Sequence, residues 1–146
     1  MALAVQGVQN VIGYTFADPY LVREAVSAAG SIVAAGPRRF PNGNKRLALL
    51  GDTILQFALA EDWYDGTEPR ETCDRIRKSV AGNQNLHSVG LANNLGGFVN
   101  LACGGSTVAP ATMAATVQAI IGAVYLDSNN MDSVKAVLRT LGLTAT

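Results

Sequence analysis

Two long stretches of this chain are apolar over most of a helical circumference, and each carries a glycine in its interior. The first runs from roughly Asn44 to Tyr64, where Leu47, Leu50, Ile54, Phe57 and Ala58 recur at helical spacing and Leu55 and Leu59 widen the stripe. The second runs from Thr112 to Leu126, with Gly122 inside it. A helix apolar on so many sides belongs in the middle of a domain. Gly51 in the first stretch costs about 1 kcal/mol of helix propensity relative to alanine. Its presence implies that a neighbouring helix comes close there.

The remaining pattern is helical as well. Asp18-Pro19 opens a helix, because the carboxylate can cap free backbone N–H groups and proline suits the first helical position. Leu21, Val22, Ala25 and Val26 form its apolar stripe, which ends near Gly30. Residues from about Gly36 to Gly43 read as a loop and Asp65 to Pro69 as a turn. A more polar helix covers about Arg70 to Ala81, and Asn83 caps another that runs to about Asn93. Leu95 to Ser106 is a Gly-rich loop with a short helical turn at its start. Asn130 caps a last helix from Met131 to Leu141, and Gly142 stands where a C-terminal glycine belongs. No alternating run is long enough for a sheet, so the expected fold is all-α.

A chain of 146 residues fits one domain, taken as 1–146, with a single core. Its apolar fraction is high at 49% and its charged fraction low at 15%, a balance that implies apolar surface covered by a partner subunit. The formal net charge is zero, which argues against a strong non-specific grip on nucleic acid. Cys73, Cys103 and His87 make neither a disulfide framework nor a zinc site. Free thiols in a reducing compartment are the expectation. No apolar run approaches the ~20 residues that span a bilayer. No basic residue precedes Arg23, so no secretory leader or Arg-rich transit peptide is expected. The expected location is intracellular, with cytoplasm, nucleus and mitochondrion not distinguished.

Four motifs then fall in one order. Asn44-Lys45-Arg46-Leu47-Ala48-Leu49-Leu50-Gly51-Asp52 resembles the ribonuclease III motif Asn-Glu-Arg-Leu-Glu-Phe-Leu-Gly-Asp. The stretch from Ile12 to Val26 resembles that family's opening, Leu-Gly-Tyr-x-Phe-x-Asp/Asn-Pro-x-Leu-Leu-x-Glu-Ala-Leu. Ile76 to Leu86 is similar to its Leu-Arg-Ser-x-Leu-Val-x-Asn-x-x-Leu segment, and Ala119 to Asp127 to its closing Ala-Ile-Ile-Gly-Ala-Val-Tyr-Leu-Asp. The chain is identified as a member of the ribonuclease III family. The variants Lys45, Ala48 and Leu49 are similar to those of short fungal members. The resemblance implies the ribonuclease III endonuclease-domain fold, about seven helices paired as a two-fold homodimer. No double-stranded-RNA-binding domain is expected, since the chain stops just after Gly142.

In ribonuclease III, magnesium ions activate water to cleave phosphodiesters of double-stranded RNA. Two such hard cations, about 3.5–4 Å apart, need several carboxylate ligands. The family supplies a pair of carboxylates four residues apart on one helix and a pair three apart on another, so that each pair shares a face. Here the first pair falls at Ala48 and Asp52, and the second at Ala115 and Gln118. Asp52 is thus the one retained catalytic or metal-binding carboxylate. Glu61, Asp62 and Asp127 are not placed to replace the others. The alternative for Asp52 is structural, accepting hydrogen bonds from the Gln118 amide or the Thr112 or Thr116 hydroxyl.

Two further surfaces stand out, the first because the positive residues are not evenly spread. Arg46, Arg70, Arg75, Arg77 and Lys78 are candidate RNA contacts. The alternative is a solvated face in which the Arg70–Lys78 cluster pairs with Glu68, Glu71 and Asp74. Leu49 matches the family residue that inserts into the partner subunit, and Leu50, Leu55 and Trp63 extend that patch. The leading reading is a pseudoenzyme: an inactive dimeric scaffold, or a module contacting double-stranded RNA or a ribonucleoprotein, with no cofactor and no membrane. The alternative is a divergent Mg-dependent endoribonuclease in RNA processing, in which Mg or Mn serves any residual activity.

Overall fold

The computed structural model describes residues 2–30, 34–35, 38–39, 42–101 and 107–145. Cys103, the side chains of Arg38 and Arg39, and part of the 36–43 loop lie outside the described residues. Among those described, seven α-helices follow one another: α1 Ala2–Ile12, α2 Tyr20–Ala25, α3 Lys45–Tyr64, α4 Arg70–Val80, α5 Asn83–Ala92, α6 Pro110–Ser128 and α7 Met131–Leu141. A 3-10 turn at Leu95–Phe98 opens the Gly-rich loop, as its composition implies. The fold is all-α except for a small hairpin, β1 Ala34–Ala35 with β2 Arg38–Arg39, whose register pairs Ala34 with Arg39. Two-residue strands leave no alternating pattern to read.

The two apolar helices pack on each other at the centre, and the glycines set how closely. A Cβ on Gly51 would lie 1.6 Å from the Gln118 carbonyl oxygen, and one on Gly122 would lie 2.7 Å from the Leu47 carbonyl oxygen. The contact is therefore backbone on backbone, and α3 and α6 come together there because side chains are missing. Around this crossing α6 is buried over most of its length, from Met113 to Val124. On α6's other flank, α5 brings Gly90 against the Met113 side chain. α2 packs on α6 too, and α7 seals the end through Val134, Val137, Leu138 and Leu141.

Polar groups then fix the helix ends. Asn44 is almost fully buried; its Nδ2 donates to the Ala25 carbonyl at 2.8 Å and to Thr116 Oγ1 at 3.5 Å. One amide thus ties the end of α2, the start of α3 and the middle of α6 together. A buried donor left without such partners would cost about 1–3 kcal/mol. Asp127, at the end of α6, accepts from Tyr14 Oη at 2.6 Å and from the Ala17 and Asp18 backbone N–H groups at 2.9 and 2.8 Å. Desolvation, the largest single influence, pushes its carboxyl up, but the three hydrogen bonds together hold it below the usual range. Its own burial, and then the Asp127 carboxylate, push the Tyr14 phenol up to about 12.

Several helix boundaries differ from the sequence reading for local reasons. Asp18 Oδ1 does accept from Tyr20 N at 3.1 Å, yet α2 stops at Ala25 because Ala28 N turns aside to the Asn100 carbonyl. Gly82, not Asn83, stands at the N-cap of α5. Asn130 caps α7 as expected, accepting from Asp132 N at 2.8 Å, and Gly142 adopts φ 86°. α1 was not anticipated from the sequence. It carries no sequence cap, and Val5, Val8, Val11 and Ile12 at helical spacing mark the face it turns inward.

The Gly51 contact yields a stability prediction. Gly51→Ala should destabilise the fold by roughly 1–3 kcal/mol or more despite alanine's higher helix propensity, because the obstacle is rigid backbone. Gly97→Ala, which meets nothing within 4 Å, is the control. Chemical denaturation of the two variants checks this, and equal midpoints would contradict the close crossing.

Candidate functional site

The close α3–α6 crossing determines which side chains share a space. Position 51 abuts the backbone of Gln118, so the pair Ala48/Asp52 on α3 and the pair Ala115/Gln118 on α6 lie at the same crossing. Within each pair the spacing puts both residues on one helix face. Ala48 is 5% exposed and belongs to the core, whereas Asp52, Ala115 and Gln118 are half-buried. The backbone geometry thus brings together the four positions that the sequence singles out. Chemically they amount to one carboxylate, one amide and two methyl groups.

Asp52 forms no hydrogen bond or ion pair with a described residue. Of the structural partners expected for it, Thr116 is engaged elsewhere: its Oγ1 donates to the Thr112 carbonyl at 2.9 Å and accepts from Asn44. For Thr116 that expectation is corrected, because a threonine inside a helix satisfies its hydroxyl on its own preceding turn. The other acids are also committed. Glu61 and Asp62 hold Lys135 Nζ at 2.7 and 3.0 Å, an arrangement that raises the lysine's pKa, chiefly through Glu61. Asp127 is taken up by Tyr14 and the 17–18 backbone. Among the described residues, no group of three or more His, Cys, Asp or Glu is placed to hold a metal ion. Magnesium wants oxygen ligands in a tight octahedron, and a pair of ions needs several anions to offset its charge. Asp52 with one neutral amide oxygen does not fit that requirement.

The basic residues divide into two groups. Asp74 pairs with Arg70 at 3.7 Å and with Arg77 at 4.0 Å, and Arg77 Nε also donates to Gln56 Oε1 at 2.9 Å. Glu68 instead accepts from the Thr72 hydroxyl at 3.4 Å. Arg46, Arg75 and Lys78 are exposed and make no ion pair with a described residue. The α4 cluster is therefore part solvated ion-pair face and part open cation.

The apolar patch is also redistributed. Leu49 is 71% exposed. Leu50 is half-buried against the core and Leu55 is fully buried, so Leu55 leaves the proposed patch. Trp63 is half-buried, and its Nε1 donates to the Pro69 carbonyl at 3.1 Å. Phe57, read from sequence as a core residue, is 51% exposed, and Tyr64 is 78% exposed. Leu49, Thr53, Phe57 and Tyr64 follow each other by four, four and seven residues, one face of α3. That spacing was the available signal, hidden because α3 is apolar on its inner faces too.

With this geometry in view, comparison with known proteins is direct. The family described as ribonuclease-III-like matches residues 34–143. Ribonuclease 3 of Dechloromonas aromatica (strain RCB) is 31% identical over 144 residues, 93% of this chain and 60% of that protein. Ribonuclease 3 of Vibrio atlanticus (strain LGP32) is 34% identical over 131 residues, 86% of this chain and 55% of that protein. The chain thus spans little more than half the length of these relatives. A nuclease domain of ribonuclease III from Campylobacter jejuni, described for structural flexibility in a region involved in dimer formation, superposes with a TM-score of 0.78 at 19% identity. That match covers 94% of this chain and 95% of the other. At such low identity the superposition establishes the fold, and the sequence matches establish the lineage. This chain belongs to the ribonuclease-III-like family.

Proposed function

We propose that this chain is a non-cleaving member of its family, a two-fold paired module that contacts duplex RNA within a ribonucleoprotein. The observation that supports this most is the donor set at the α3–α6 crossing, where Ala48, Ala115 and Gln118 accompany the single carboxylate of Asp52. A phosphodiester cleft built on two magnesium ions needs the charge those three positions lack. The exposed Arg46, Arg75 and Lys78 are the RNA-contacting residues in this reading. The resemblance of Lys45, Ala48 and Leu49 to short fungal members agrees with a pseudoenzyme, although the relatives compared above are bacterial.

The second reading is a divergent endoribonuclease, and the names of the relatives favour it. Proteins called Ribonuclease 3 align over most of this chain at 31–34% identity, and Asp52 is present. Incubation with long double-stranded RNA and Mg²⁺ or Mn²⁺ separates the two readings. The non-cleaving module leaves the RNA intact. Short duplex products that disappear in Asp52→Asn would establish the nuclease instead.

Pairing is proposed through the outward face of α3. A stripe of Leu49, Phe57 and Tyr64 on a central helix is more apolar surface than scattered single residues explain, and a two-fold contact uses the same patch on both copies. Sedimentation at micromolar concentration should give a dimer that Leu49→Glu and Phe57→Glu each convert to folded monomer. A wild-type monomer at that concentration contradicts it.

A further inference from the structure

We infer that Lys45 takes over the role of a divalent cation at this face, so that RNA phosphates meet a side-chain cation directly and no metal ion mediates the contact. The inference rests on the RNA-contacting reading above and specifies how that contact is made. Lys45, Ala48 and Asp52 stand at i, i+3 and i+7 of α3, which places them on one helix face. Lys45 occupies the place of the motif's first glutamate and Ala48 that of its second. Along this face the sequence therefore reads ammonium, methyl, carboxylate where the motif has three acids. Across the crossing, the two α6 positions contribute no charge.

The physical consequence is a change of sign. A face crowded with carboxylates repels a phosphate backbone and can approach it only with divalent ions between them. A face with one carboxylate and one lysine needs no such intermediary. That cation is available: Lys45 is exposed, it pairs with no described acid, and the first turn of α3 holds no acidic residue. Asp52 is the one acid on the same face and stands two turns from Lys45, while Glu61 and Asp62 are held by Lys135 and Asp127 by Tyr14. Lysine meets a phosphate as a compact point charge. The side chains present thus suit a sugar-phosphate backbone better than they suit magnesium.

Fluorescence anisotropy with a short labelled RNA duplex, in EDTA and then in Mg²⁺, tests this. Binding should persist in EDTA and weaken as Mg²⁺ is added, since the ion competes for phosphate. Lys45→Glu should weaken binding and reduce the slope of log K against log salt by about one, as loss of one phosphate contact does. Asp52→Asn should leave affinity the same or raise it, whereas an ion-mediated contact would lose affinity. A requirement for Mg²⁺, or weakened binding in Asp52→Asn, overturns the inference. If Lys45→Glu binds like wild type while Arg75→Glu and Lys78→Glu fail to bind, RNA contact stands and this site falls. If the wild-type protein binds no duplex in either buffer, the RNA-contacting reading falls first and the inference with it.

Discussion

The contact between Gly51 and the backbone of Gln118, answered by Gly122 against Leu47, organises the rest of the molecule. Two apolar helices can pass at van der Waals distance only where side chains are absent, and each helix has its glycine at that point. From there the Asn44 amide fixes the start of α3 against α2 and α6, and the Asp127 carboxylate pins the 14–18 segment to the end of α6. The same crossing brings four helical positions together across two helices. The scaffold thus supplies a place for a charged constellation whatever residues fill it.

What fills it here is close to neutral. One carboxylate remains at Asp52, the neighbouring acids are bound to Lys135 or Tyr14, and an exposed lysine lies two turns back along the same face. Family membership and site chemistry therefore point in different directions. The first is carried by the apolar pattern and the glycines, which the fold requires. The second is carried by residues the fold does not need, so the proposed loss of metal binding would leave the fold intact. Exposed apolar residues on α3 fit the same picture, because a surface for a second copy can serve assembly with or without chemistry beneath it.

Much of this was legible in the sequence. The close approach at Gly51 followed from a glycine kept inside an otherwise strong helix, and Asn130 and Gly142 marked the ends of α7 through local hydrogen-bonding rules that tertiary structure did not override. The four site positions were legible from motif spacing. Less legible were features set by long-range contacts. Asn44 looked like an ordinary residue at a helix start, yet its side chain spends its donors on α2 and α6 rather than on its own helix. Phe57 and Leu55 look equivalent in an apolar run, but one points to solvent and the other to the core. Only packing separates them.

The central claim is that the α3–α6 crossing is no longer a divalent-metal site, and calorimetric titration of Mn²⁺ into the protein tests it directly. The account predicts no saturable binding that the Asp52→Asn variant removes. Saturable uptake of two ions per chain, abolished in that variant, would contradict it.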